Sequence, residues 1–493
     1  MNNVSAGRKA LKLAAGPFAA LLLICFCDLV PYKPEVTRMA AVATWMAIWW
    51  LTEVVHLAVT ALLPVILLPL LGIADSKIVA GQYMDPIIFL FIGGFMIAFA
   101  IEKWHLHQRI ALRILMKVGT KPSRILLGVM LTSYLISMWI SNTATVMMLL
   151  SAVMAVILQL EKKTGGEKDT SGLATALLIG LAYSATIGGM ATLVGTPTNM
   201  IFFREYTAQF SERNDVNFLS WFVLGFPLSM LLLFVAYFIL SALFLKKANH
   251  FSMERSYFSE QYKALGKMSY EEKIVSTVFV VTATLWFTRA DLDLGDVVVP
   301  GWSRLFPNAE FLHDSTAAIL MAVLLFLIPS RAKKGEAILE WDDVLRLPFD
   351  IVLLFGGGFA MAKGCEISGL TSWLSAKMSF ASGTDYIFLT LMLCLLITVI
   401  SEFASNVTCI QIMIPIVIAI QQAMGLHPLS LLIPATLAAS LGFMLPVATA
   451  PNTIVFGSRR IRVKDMLRAG FFLNLAGILL ITLLAVIANE FLY

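Results

Sequence analysis

The chain is predicted to be an all-α polytopic membrane protein, with about 11 transmembrane helices and two re-entrant hairpins. Three observations carry that reading. Of 493 residues, 59% are hydrophobic and only 14% charged, where a soluble domain would carry about 25% charge. Apolar runs of roughly 20 residues recur along the chain, and the ~10-residue alternation of a membrane β-barrel is absent. Short polar stretches then repeat at a fixed interval. Ser141-Asn142-Thr143 and Ser405-Asn406-Val407 lie 264 positions apart, and the same interval connects Gly93-Gly94-Phe95 to Gly357-Gly358-Phe359 and Glu102 to Glu366. A shared offset at several places marks a duplicated unit.

The elements follow in order. Arg8, Lys9 and Lys12 precede an apolar run over 13–30 without a small-x-small cleavage site, which predicts a retained first helix rather than a signal peptide. Further spans are expected at 39–55, 57–73, 86–102, 173–205, 218–245, 274–290, 314–330, 349–367, 428–457 and 467–489. The basic stretch 103–120, with Trp104, Leu106, Ile110, Leu112 and Leu115 interleaved, reads as an interfacial amphipathic helix. Segments 124–160 and 385–422 each have two apolar arms around a polar tip. Arms of about 15 residues reach only ~23 Å, short of a ~30 Å hydrocarbon core, so both are expected to turn back near mid-membrane.

Basic residues gather at Arg8–Lys12, 103–124, 246–273, 331–346 and 459–468, whereas the 291–296 loop carries Asp291, Asp293 and Asp296. Placing the N-terminus in the cytoplasm puts every basic cluster inside, and the acidic loop and the C-terminus outside. The net charge of +5 is therefore a membrane-orientation signal and not a nucleic-acid one. The first hairpin then enters from the cytoplasm and the second from outside, so the halves are inverted repeats. The expected domains are an N-terminal helix and loop (1–38), a first repeat (39–245), a cytoplasmic connector (246–273) and a second repeat (274–493).

Each hairpin precedes a span with a helix-breaking stretch, Gly195-Thr196-Pro197-Thr198-Asn199 and Ala448-Thr449-Ala450-Pro451-Asn452. Proline removes a backbone donor, and the break leaves half-helix ends inside the membrane. Their N-termini suit an anion and their unwound carbonyls a small cation. Such residues also serve plain helix packing. Two tips, each paired with a downstream break in inverted halves, favour a binding site.

These motifs resemble those of the divalent anion:sodium symporter family, which carries di- and tricarboxylates. The resemblance runs along nearly the whole chain through Trp50-Leu51-Thr52-Glu53, Thr60-Ala61-Leu62-Leu63-Pro64, Phe91-Ile92-Gly93-Gly94-Phe95, Ser141-Asn142-Thr143-Ala144-Thr145 and Gly195-Thr196-Pro197. It continues in Phe355-Gly356-Gly357-Gly358-Phe359, Ser401-Glu402-Phe403-Ala404-Ser405-Asn406 and Leu445-Pro446-Val447-Ala448-Thr449. The resemblance implies a homodimer whose protomers have a scaffold domain and a transport domain that moves by an elevator-like shift. It implies a first sodium site at Ser137, Ser141, Asn142 and Gly195, and a second at Ser401, Ser405, Asn406 and Ala448. Substrate carboxylates would meet Asn142, Thr143, Asn406 and Thr449, with Val407 at the remaining tip position. The sequence departs from the family pattern at Val407, where Thr is common, at Thr198 and Ala450, which each replace a proline, and at His56, where proline is frequent.

Charge bears on the coupling. No Lys, Arg or His occurs in 133–150, 184–200, 401–415 or 442–457. A dicarboxylate brings two negative charges to a depth where ions are expensive, and helix ends supply only ~0.5 charge each. A co-bound cation is the simplest compensation. Glu402 and Glu53 read as structural carboxylates, Lys363 as a residue snorkelling to the interface, and the five cysteines as small buried hydrophobes. No hydrolase or zinc-protease motif appears, so an enzyme is not expected. The resulting expectation is sodium-driven import of C4-dicarboxylates such as succinate, malate or fumarate across a bacterial inner membrane; the alternative is a sodium-independent dicarboxylate exchanger.

Overall fold

The computed structural model describes residues 2–164, 167–210, 216–245, 255–293, 298–378 and 383–491. Parts of the expected connector (246–254), Asp296 of the acidic loop and the last two residues lie outside the described residues.

The first part comprises α1 (Asn2–Phe26), α2 (Pro34–Thr52), the short α3 (Leu57–Thr60), α4 (Leu63–Leu70) and α5 (Ser76–Gly81), a 3-10 turn at Gln82–Met84, and α6 (Pro86–Lys103). The expected span at 57–73 is thus interrupted between Thr60 and Leu63, where Pro64 enters the first turn of α4. His56 sits as the N-cap of α3, its ring nitrogen accepting from the Ala58 N–H at 3.3 Å. Glu53 ends α2 in the left-handed region at φ 45°. The amphipathic α7 (Leu106–Val118) follows as expected.

The first hairpin is α8 (Pro122–Ser137) and α9 (Asn142–Thr164), followed by the broken pair α10 (Glu167–Met190) and α11 (Pro197–Gln209), and by α12 (Phe218–Phe244). Next come α13 (Arg255–Ala264), α14 (Tyr270–Phe287), a two-stranded ribbon β1 (Leu292–Asp293) and β2 (Val298–Val299), α15 (Asp314–Leu327), α16 (Trp341–Val344), α17 (Phe349–Ser368) and α18 (Leu370–Lys377). The second hairpin is α19 (Tyr386–Phe403) and α20 (Asn406–Met424), and its broken pair is α21 (Pro428–Ala439) and α22 (Ala450–Phe456). The long α23 (Val463–Phe491) closes the described chain.

Among the described residues, nine helices are long and apolar enough to cross a membrane, and four shorter apolar helices accompany them. The hairpin arms are longer than the sequence suggested, at 16, 23, 18 and 19 residues. Length alone therefore does not turn the chain back. In α9 much of the surplus is the polar end Gln159, Glu161, Lys162 and Lys163, which adds reach without apolar depth. Contacts with the broken helices hold the tips in place: Thr192 Oγ1 donates to the Met138 carbonyl in the first half, and Ser401 Oγ donates to the Ala439 carbonyl at 2.6 Å in the second.

Two apolar cores organise the packing. A small one joins α2, α4, α17 and α18 through Met39, Trp50, Leu68, Leu354, Met361 and Leu370; a large one contains both hairpins and broken helices. The two halves interlock: α9 packs on α22 and α11 packs on α20, so each hairpin's second arm meets a half-helix of the other repeat. Cys365, Cys394 and Cys409 are buried as expected, but Cys25 and Cys27 are exposed. They sit at the end of α1, which packs against α2 and leaves most of its own surface outside the core.

Candidate functional site

Both tips begin with the same contact. Ser137 Oγ donates to Asn142 Oδ1 at 2.7 Å, and Ser401 Oγ donates to Asn406 Oδ1 at 2.8 Å. Each serine lies in the last turn of the first arm and is fully buried, while each asparagine opens the second arm and is half-buried. Ser141 and Ser405 occupy the turn before it: the Ala144 N–H donates to Ser141 Oγ at 3.3 Å and the Thr408 N–H to Ser405 Oγ at 3.2 Å. These hydroxyls therefore cap α9 and α20, satisfying N–H groups that a helix start leaves open. Thr143 and Val407 follow, both half-buried. Val407 packs against both apolar cores.

The breaks are braced by asparagines that repeat between the halves. Asn199 Nδ2 donates to the carbonyls of Gly189 at 3.1 Å and Thr192 at 2.7 Å. Asn452 Nδ2 donates to those of Gly442 at 3.0 Å and Leu445 at 3.1 Å. The Oδ1 atoms of both asparagines are buried without a hydrogen-bond partner. Both lay at the end of the expected breaks; their matched offset from Thr196 and Thr449 was the signal that could have found them.

Tip and break meet at glycines. A methyl group on Gly189 would collide with Asn142 Oδ1 and stand 3.0 Å from the Gly195 carbonyl oxygen. On Gly442 it would stand 3.1 Å from Asn406 Oδ1 and 3.2 Å from the Ala448 Cβ. The absence of a side chain thus brings Asn142 beside Gly195 and Asn406 beside Ala448, the pairs expected to share each ion. Oxygen donors from an amide, a hydroxyl and an unwound backbone suit a hard cation. Thr449 caps α22, with the Asn452 N–H donating to its Oγ1 at 3.3 Å. Across the two breaks, Thr198 Oγ1 lies 3.1 Å from Ser440 Oγ.

Glu402 is where the halves differ. It is 4% exposed and accepts from the backbone N–H groups of Phe443 and Met444, each at 2.8 Å, and of Leu445 at 3.0 Å. Asn474 Nδ2 adds a fourth donor at 2.6 Å. The structural reading of this carboxylate holds. The first half has Met138 at the equivalent position, and the contact is made by Thr192 instead, which donates to the Met138 carbonyl and accepts the Gly195 N–H at 3.1 Å.

The repeated glycine pairs line the surroundings of the hairpins. Gly93 and Gly357 let α6 and α17 approach Ala318 and Ala61, whereas Gly358 faces Gln411 of α20 and Gly94 borders a crevice with Trp139, Ile140 and Ser141. Gln411 Nε2 donates to the Leu354 carbonyl at 2.6 Å. Lys363, expected to snorkel, is paired with Glu366 at 2.8 Å. A buried cation that the sequence reading passed over lies just beyond the first break, Arg204, bonded to Asp85, Glu205 and Gln82.

Comparison with known proteins places this architecture. Residues 10–492 match the family model described as the sodium:sulfate symporter transmembrane region. The sodium-dependent dicarboxylate transporter SdcS of Staphylococcus saprophyticus is 37% identical over 476 residues, covering 96% of this chain and 89% of the relative. The Na(+)/citrate cotransporter of Mus musculus is 37% identical over 531 residues, covering 94% and 92%. Two solved transporters share the fold at low identity. YdaH of Alcanivorax borkumensis gives a TM-score of 0.53 at 12% identity over 84% of this chain and 87% of its own, and MtrF of Neisseria gonorrhoeae 0.54 at 14% over 83% and 84%. The apolar spans, the doubled Ser–Asn tips and these matches together make the chain a member of the sodium:sulfate symporter transmembrane family, the divalent anion:sodium symporters, and a sodium-coupled membrane transporter rather than an enzyme.

Proposed function

We propose that the protein imports C4-dicarboxylates such as succinate, malate and fumarate with sodium, by an elevator-type alternating-access movement of the hairpins and broken helices against the surrounding helices. The observation that carries this reading is the doubled Ser–Asn contact at the tips, 2.7 and 2.8 Å, each set against a broken helix. In it, Ser137, Ser141, Asn142 and Gly195 hold one sodium ion, and Ser401, Ser405, Asn406 and Ala448 the other. Asn142, Thr143, Asn406 and Thr449 meet the substrate carboxylates, with Val407 at the edge of the site.

Charge supports the coupling. The four segments around the tips contain no basic residue, and the nearest titratable group behind the second site is an acid, the buried Glu402. Two sodium ions offset a dianion at a depth where isolated charges are costly. The substrate class is supported by the Staphylococcus relative; the mouse relative favours citrate as a second reading. We further propose a homodimer in a bacterial inner membrane, as the family resemblance implies, with the N-terminus in the cytoplasm and the C-terminus outside, an orientation supported by the Lys and Arg distribution.

The test is uptake into proteoliposomes. Succinate should accumulate only with an inward sodium gradient and should be competed by malate and fumarate more effectively than by citrate. Undiminished uptake without sodium would replace this reading with the exchanger; stronger competition by citrate would move the substrate class to tricarboxylates.

A further inference from the structure

Arg204 lies on the half-helix α11, inside the unit that contains the tips, yet its guanidinium reaches out of that unit. Nε is 3.3 Å from Asp85 Oδ2 at the start of α6, Nη2 bonds Gln82 in the preceding 3-10 turn, and the guanidinium carbon stands 4.5 Å from the ring centroid of Phe359 on α17. Its remaining partner travels with it: Nη1 donates to Glu205 Oε1 at 2.8 Å. The Arg204 and Glu205 side chains are 6% and 4% exposed. Other ion pairs of low exposure, Lys103–Asp343, Arg109–Glu272 and Arg460–Glu161, join α6 to α16, α7 to α14, and the first hairpin to the segment before α23.

We propose that Arg204 is an ion-paired latch between the moving unit and the surrounding helices, and that Glu205 is the counter-ion that lets the latch open. The inference rests on the elevator reading given under Proposed function. Movement of α11 past α6 and α17 must break the contacts with Asp85 and Gln82. A guanidinium leaving alone would become an uncompensated buried charge, which is strongly unfavourable. Glu205, adjacent in sequence, keeps it paired throughout. Asp85 therefore stabilises the closed contact, while Glu205 stabilises the open one relative to it.

Two substitutions then act in opposite directions. Asp85→Asn removes the charge but keeps the helix cap that Asp85 Oδ1 gives to the Ile87 N–H at 3.0 Å, because Asn caps as well as Asp. Glu205→Gln leaves Asp85 as the sole counter-ion and tightens the latch. The readouts are hydrogen–deuterium exchange of segments 76–85 and 204–209 in the full chain in nanodiscs, and succinate turnover in liposomes. Asp85→Asn should speed exchange in both segments about tenfold, and Glu205→Gln should slow it and lower turnover. Loosening of both segments by both variants, or no change in either, overturns the latch. The exchange readout does not need transport. Absence of sodium-driven uptake by the unmodified chain would sink the transport reading while the exchange data still decide the latch; sodium-driven uptake without the opposed responses sinks the latch alone.

Discussion

The first and second hairpin tips carry the same Ser–Asn contact, yet the chain around them is held by different chemistry. At the first, the broken helix is closed by neutral groups: Thr192 bridges the Met138 carbonyl and the Gly195 N–H, and Asn199 gathers the carbonyls of Gly189 and Thr192. At the second, a buried carboxylate collects three consecutive backbone N–H groups and the Asn474 amide. The two halves share the Ser–Asn contact and differ in what supports it. The lesson is that the two sites need not respond alike to the same chemical change.

The largest expected effect removes what the sites share. Asn142→Ala and Asn406→Ala each take away a side chain proposed to serve both ion and substrate; the first also leaves the buried Ser137 hydroxyl unpaired, at about 1–3 kcal/mol, whereas Ser401 keeps its 2.6 Å bond to the Ala439 carbonyl. Each should abolish or strongly impair uptake in a protein that still folds by circular dichroism; near-normal transport in either would break the assignment for that tip. Glycine substitutions come next and sharpen the comparison. A methyl at Gly189 displaces Asn142, whereas at Gly442 the nearest atoms stand 3.1–3.3 Å away and can give slightly. Gly189→Ala should therefore raise the sodium concentration for half-maximal uptake by an order of magnitude or more, and Gly442→Ala by only about threefold. Equal effects would show that the two tips have the same tolerance.

Glu402→Gln tests the divergent support. Gln keeps one acceptor oxygen for Phe443, Met444 and Asn474 but puts an amide donor against the Leu445 N–H, leaving a buried donor unpaired at about 1–3 kcal/mol. The variant should lower thermal stability and weaken sodium dependence, while Thr192→Val, removing a neutral hydroxyl, should do so less; the reverse order would refute the difference drawn between the tips. The smallest effect is expected at Val407. Its side chain packs against both apolar cores, so Val407→Thr should alter relative succinate, malate and citrate rates by no more than a few-fold. An unchanged profile would place this position outside the ligand's reach.

A control lies away from both tips. Glu271 heads α14, and although burial alone would raise its pKa, the N–H groups of Ala332 and Arg331 hold the carboxyl down to about 2. A lowered folded pKa contributes stability that is present above the unfolded value and lost as pH falls from there toward 2. Glu271→Gln should therefore lower the melting temperature at neutral pH and flatten its decline in acid, with no change in sodium affinity. A changed sodium affinity would mean that this end of the molecule reports on the tips.

Much of the geometry at the tips and breaks was legible in the sequence because its signals are local. Ser, Asn and Pro at matched intervals within apolar runs have few physical explanations, and their repetition removed most of those. Asn199 and Asn452 carried the same repeat signal and could have been read. Arg204 could not be assigned from position: its partners Gln82 and Asp85 lie more than a hundred residues earlier, and a buried arginine in a half-helix looks no different in sequence from one facing a headgroup layer. The hairpin arms were underestimated because apolar length marks only what lies in hydrocarbon, whereas a helix continues through polar residues as long as its backbone is satisfied.

By itself the sequence determined that this is a membrane protein with two interrupted hairpins in register, since hydrocarbon forbids unpaired backbone and admits polar breaks only where protein or water receives them. Tertiary structure decided which groups receive them. Glu402 meeting the N–H groups of residues 443–445, Gly189 admitting Asn142, and Arg204 bridging to α6 all depend on segments that are distant in the chain or on separate helices. Burial gives those contacts their strength, and only the folded packing of the helices decides which groups are buried together.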